Sequence, residues 1–219
     1  MNKNNNQEFS DKFKVAYGNL YKLHPSADND EFRFRYLKVD WFFPNHLHNV
    51  LKNIQIFADK YFKDINVEIA LYGGLFHDAG LVFERDSPDP KGHESRSTVY
   101  AEKELKNLGY DDNFIEKVKE CIRATEPKYK TELQEALLVR NADSYAHVIS
   151  MHFFAKSNFA SDIHQYVDWF DRKVNSTFTK LTIPELIEEV SVLLGFYNRM
   201  IDNYKENKGK EGDIKSVII

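Results

Sequence analysis

Apolar residues recur along this chain at intervals of three and four, and only rarely at intervals of two. Starting at His46, the positions Val50, Ile54, Phe57, Ala58 and Tyr61 fall on one stripe of a helix. Val67, Ala70, Leu71, Leu75 and Phe76 come next and are crowded almost all round, as in a helix at the middle of a fold. The stretch ERDSPDPKGH, Glu84 to His93, breaks the period with two prolines and a glycine and reads as a loop shaping a pocket mouth. Helical spacing resumes at Glu94, runs through Ala101, Leu105 and Leu108, and closes at Gly109. Asp111 or Asp112 caps the next helix, which carries Ile115, Val118 and Ile122 and is stopped by Pro127. A further helix is expected from about Thr131 past Asp143 to the Phe153 region, and another from Asp162 to Val174. Ile183-Pro184-Glu185 opens the last. The pattern predicts one all-α domain over residues 1–219, with mobile tails at 1–6 and 205–219.

Composition narrows the function classes. Net charge is −4 with both signs spread along the chain, which argues against a polymeric nucleic acid as partner. A single cysteine, Cys121, cannot form a disulfide within the chain, so a reducing compartment is expected. MNKNNNQEF carries no apolar signal region, and no run of about 18 apolar residues suggests a membrane span. The expectation is a soluble cytoplasmic protein with no membrane partner, and self-association into a homo-oligomer is left open.

Chemistry concentrates in YGGLFHDAGL, Tyr72 to Leu81. Here His77 and Asp78 end an apolar segment, and two such groups are costly to bury unless something binds both. A metal ion would do so. Upstream, in NHLHNV, His46 shares the stripe of Val50, Ile54 and Phe57 and points inward, whereas His48 lies nearer Lys52 and Gln55 and points outward. Downstream, in LLVRNADSYAHV, Asp143 has Val139 and Ala146 at helical spacing, and an aspartate on an apolar face needs a partner. His147 and Arg140 flank that face and offer the plain alternative to a metal. His46, His77, Asp78 and Asp143 make two imidazoles and two carboxylates. That set suits one divalent ion, Mn, Mg, Fe, Co, Ni or Zn, without choosing among them.

The ordered set H…HD…D on successive helices resembles the HD-domain superfamily of metal-dependent phosphohydrolases. The likeness runs from near His46 to about Tyr145. LFHDAG, Leu75 to Gly80, is similar to the family's usual LLHDIG. GHESRSTVYAEKELKNLGY is similar to a His-Glu, Ser and helix stretch common in the superfamily. CIRATEP and NADS resemble segments of one of its subgroups. The resemblance implies an HD-type helical bundle with a core at about 44–155 and extra helices at both ends. It implies metal-ligand roles for His46, His77, Asp78 and Asp143, and it places His93 and Glu94 near the site. Members with two metals carry additional histidines. His93 is one candidate, but RATE, Arg123 to Glu126, has no imidazole, so one metal is expected.

On this reading the substrate is a small phosphorylated compound, a nucleotide first among the candidates, cleaved by metal-activated water. Asp78, Glu94 and His93 are the expected catalytic groups, handling the water and its proton. Arg33 and Arg35 of FRFRY, with Lys91 and Arg96, are the expected phosphate-binding cations. Two alternatives stand beside it: a di-iron oxygenase of the HD type, which needs about six ligands, and a non-catalytic nucleotide-binding module. Other motifs fail. His93-Glu94-Ser95-Arg96-Ser97 lacks the second histidine of zinc proteases, and Gly73-Gly74 is no dinucleotide fingerprint.

Overall fold

The segment Val67–Phe76 is buried from Ile69 onward on every side, so neighbours must surround it. The computed structural model, which describes residues 10–26, 28, 38–82 and 92–209, shows how they do so. In chain order the helices are α1 (Asp11–Leu23), α2 (Val39–Phe42), α3 (His48–Tyr61), α4 (Val67–Phe76), α5 (His93–Asn107) and α6 (Asp112–Arg123). They continue with α7 (Gln134–Ile149), α8 (His152–Ala155), α9 (Ile163–Thr179) and α10 (Pro184–Asn207). Among the described residues there is no strand, so the fold is all-α. Among them, no helix is long and apolar enough to cross a membrane.

Local chemistry sets the boundaries. Asn66 caps α4 by accepting from the backbone of Glu68 and Ile69, and Asp111 caps α6 by accepting from Phe114 at 2.8 Å. Gly109 ends α5 in the left-handed region at φ 75°. There Gly109 N donates to Lys106 O and Tyr110 N to Leu105 O, the paired bonds of a Schellman close. Asp162 caps α9, and Pro184 takes the first position of α10, where a missing N–H costs nothing.

Two apolar cores share the molecule. The larger gathers α1 and α3–α7 around α4. The smaller joins α8, α9 and α10 through Phe153, Phe170, Val174 and Tyr197. Helices α4 and α6 touch closely, since a Cβ on Gly73 would stand 2.4 Å from Cβ of Cys121. Cys121 is fully buried there.

Three expectations need amendment. His46 does not sit on a regular α-helix: Phe43–Leu47 form a π-turn between α2 and α3. Helix α7 stops at Ile149 and does not reach Phe153, because the backbone turns extended at Ser150 and restarts as α8. Helix α10 continues to Asn207, into the segment expected to be a tail. Of the loop expected at Glu84 to His93, residues 84–91 lie outside the described residues; Gly92 precedes α5 in the left-handed region at φ 71°, and His93 is the first residue of that helix.

Candidate metal centre

Four elements converge at one end of α4. The π-turn carries His46 inward, and such single wide turns recur where a side chain must be re-aimed at a site. His48, two residues on, is exposed and bonds Tyr17 through its Nε2 at 2.8 Å. His77 caps the C-terminus of α4, and Asp78 opens the short turn after it. Asp143 comes from the middle of α7.

Their donor atoms face one another. His46 Nε2 lies 3.0 Å from His77 Nε2, 3.5 Å from Asp78 Oδ2 and 3.3 Å from Asp143 Oδ1. His77 Nε2 lies 3.3 Å from Asp78 Oδ2 and 3.7 Å from Asp143 Oδ1. Ligand atoms about 2.1 Å from one ion, at tetrahedral or octahedral angles, stand roughly 3.0–3.4 Å apart; three of these five distances fall in that range, and His46, His77 and Asp143 together form a group that could hold an ion. Its chemistry agrees. His77 donates Nδ1–H to Gly74 O at 2.7 Å, which fixes the tautomer and turns the bare Nε2 to the centre. Asp143 Oδ1 is buried without a hydrogen-bond donor. The residues fit a divalent ion.

Electrostatics of the metal-free cluster point the same way. Burial would lower the His77 imidazole, but the carboxylates of Asp78 and Asp143 overcome that and bring it up to about 9. Burial would raise both carboxyls. The imidazoles of His77 and His93 nevertheless hold Asp78 well below its ordinary value. Lys180 and His147 do the same for Asp143. The carboxylates of buried Asp143 and half-buried Asp78 therefore stay charged, facing the His77 and Lys180 cations.

A second layer surrounds this group. Lys180, just past α9, donates to Asp143 Oδ2 at 2.8 Å and to Thr125 O at 3.1 Å. His93 Nε2 stands 3.2 Å from Asp78 Oδ1, and its Nδ1 stands 3.3 Å from Glu94 Oε2, so Asp78, His93 and Glu94 form a line of neighbours. Ser97 fastens that line: its hydroxyl donates to His77 O and accepts from Gly80 N, both at 2.8 Å. These groups line a pocket of about 500 Å³ with Trp41 and Trp169 in its walls.

The expected phosphate-binding cations fare differently. Arg33, Arg35 and Lys91 lie outside the described residues. Arg96 is not among the residues lining the pocket, and its Nε donates to Gly80 O at 3.2 Å, tying α5 to the turn after Asp78.

Sequence reasoning missed several pocket residues, among them His152, Lys156, Trp169, Lys173, Ser176 and Lys180, and gave His147 only a flanking role. His46, His147 and His152 form a second group whose nitrogens lie within 4.8 Å of one another. Burial and then the nearby Lys173 ammonium hold His147 and His152 well below the ordinary imidazole value.

The family model described as the HD domain matches residues 45–147. No curated protein and no solved structure matches the chain. The matched segment starts one residue before His46, ends four beyond Asp143 and contains His77 and Asp78 at the end of α4. Residues 45–147 thus match the HD domain, and the four residues that meet at the cluster all lie within that segment.

Proposed function

We propose that the protein is a metal-dependent phosphohydrolase that cleaves a phosphoester of a small substrate, a nucleotide first among the candidates. The observation that carries this reading is the meeting of His46, His77, Asp78 and Asp143 in the lining of one pocket, each imidazole Nε2 within 3.0–3.7 Å of the other and of a carboxylate oxygen of each aspartate. When bound, a divalent ion supplies a Lewis acid for a phosphoryl oxygen and lowers the pKa of a water molecule. The chain's own groups do the rest. Gly74 O holds His77 in the tautomer that leaves Nε2 free, and Lys180 pins the outer oxygen of Asp143. Asp78 points Oδ2 to the cluster and Oδ1 to His93, so it orients on one side and passes a proton on the other. Glu94, next in line, is the group placed to exchange that proton with solvent. Trp41, Phe42 and Trp169 exclude water from the walls.

One observation favours the two-ion alternative: His147 and His152 beside His46. Two features weigh against it. Both candidate groups draw on His46, and the Lys173 ammonium is near enough to His147 and His152 to depress both imidazoles, which disfavours a second cation there.

The test couples metal analysis of the purified protein to a phosphatase panel with added Mn²⁺, Mg²⁺ and Co²⁺. About one ion per chain and phosphate release, without oxygen uptake, is expected. Two irons per chain with substrate-dependent oxygen uptake would replace this reading with the oxygenase.

A further inference from the structure

Helix α9 presents Trp169, Lys173 and Ser176 to the pocket at spacings of four and three, and Lys180 follows four residues later. Its other face, Val167, Phe170, Val174 and Thr177, is buried. The three pocket lysines are not equivalent. Lys180 is engaged by Asp143 and Thr125, and Lys156 lies over the Trp169 ring at 5.9 Å. Among the described residues, no carboxylate stands within ion-pair distance of Lys173. It is nevertheless partly buried, and burial with Lys180 nearby lowers its pKa. It is close enough to the centre to interact with Asp143, Asp78 and Glu94, and to depress His147 and His152. A half-desolvated ammonium with no ion pair calls for an anion.

Charge decides when that anion enters. Four carboxylates line the pocket among the described residues: Asp78, Glu94, Glu126 and Asp143. Lys156, Lys173 and Lys180 oppose them, and with His77 protonated the metal-free pocket is balanced in charge. A divalent ion that displaces that proton leaves the pocket one charge positive.

We propose that Lys173 is the phosphate-binding residue of this pocket, its ammonium taking a phosphoryl oxygen of the substrate once a divalent ion is in place. The assignment rests on the phosphohydrolase reading for its ligand, and it moves recognition of phosphate to a helix beyond residue 147, outside the HD segment. A lysine suits the task as a point charge directed at oxygen.

The test titrates inorganic phosphate calorimetrically into Mn²⁺-loaded wild type, Lys173→Met and Lys173→Arg, with metal content measured on each. The Met variant should keep its metal and bind phosphate about tenfold more weakly or worse, the loss expected for one charged hydrogen bond, while the Arg variant retains most of the affinity. Equal affinity in wild type and Lys173→Met, or no phosphate binding by loaded wild type, overturns the proposal. Should the Met variant not fold, wild type alone decides. Phosphate should slow acetylation of Lys173 by acetic anhydride without slowing that of exposed Lys14, and equal rates overturn the assignment. Phosphate binding that depends on Lys173, without turnover of any phosphoester, would sink the hydrolase reading and leave Lys173 standing. Turnover with Lys173 irrelevant to phosphate affinity would do the reverse.

Discussion

Lys180 grips Oδ2 of Asp143 at 2.8 Å and leaves Oδ1 turned to His46 at 3.3 Å. One carboxylate is thus shared between a fixed cation of the protein and the place where an ion would bind. Lys180→Met should cost about 10–100-fold in metal affinity, as loss of an outer-shell partner does, with helix content unchanged. Competition against a fluorescent chelator measures it. Unaltered affinity would reduce Lys180 to a packing role.

His46 and His48 separate metal binding from stability. His46→Gln removes a group at the centre of the cluster and should abolish both bound metal and activity. His48→Gln loses an exposed bond to Tyr17 and ring contacts with Tyr17 and Phe43, and should shift unfolding by about 1 kcal/mol with metal retained. Paired metal analyses distinguish the two, and metal loss in the His48 variant would reverse the assignment.

Much of this was legible in the sequence, for a physical reason. His77 and Asp78 are adjacent at the end of an apolar helix, and Asp143 interrupts an apolar stripe, so local pattern alone marks them as buried charge. His46 was readable because it shares the Val50 stripe, although the π-turn that aims it was not. Lys173 and Trp169 were not read, because on a sequence they pass for the wet side of an amphipathic helix. Only the packing of α9 beside α7 makes that side a pocket wall. Spacings of four, three and four through Trp169, Lys173, Ser176 and Lys180 were the available signal.

Glu94 is the far end of the line from Asp78 through His93. Glu94→Gln keeps the shape and removes the base. Turnover should fall about 10²–10⁴-fold while metal content stays within error. Steady-state kinetics beside metal analysis reads both, and full activity would take Glu94 out of the mechanism.

Gly80 couples the fold to the site. A Cβ there would stand 2.2 Å from His93 O, a backbone atom that cannot swing aside. Gly80→Ala should cost about 1–3 kcal/mol in urea unfolding by forcing α5 away from the turn, and should lower activity with it. A variant that unfolds like wild type would show that α5 gives way freely.

The chelated protein should show a stability maximum in pH. His77 is raised to about 9 in the fold, above its unfolded value of about 6.5, so its contribution is complete below pH 6.5 and is lost as pH rises through 9. His147 and His152 are lowered by burial and Lys173, so their contribution is complete above about pH 6.5 and is lost as pH falls. Thermal unfolding of the chelated protein across pH 5–10 checks both slopes. Stability still rising between pH 7 and 9 would contradict the His77 assignment.

Helix α7 serves two masters: Leu138, Val139, Ala142 and Ala146 belong to the larger core, Val148 to the smaller, and Tyr145 packs against both. The pocket is therefore a seam whose width is set by how closely the smaller core settles on the end of one helix. Repacking Phe153 or Phe170 would shift Trp169 and Lys173 toward or away from the cluster without altering His46, His77, Asp78 or Asp143. In such an architecture the cluster and the wall that faces it are separately tunable, and descendants of this chain can reshape what the pocket admits while leaving the four clustered residues untouched.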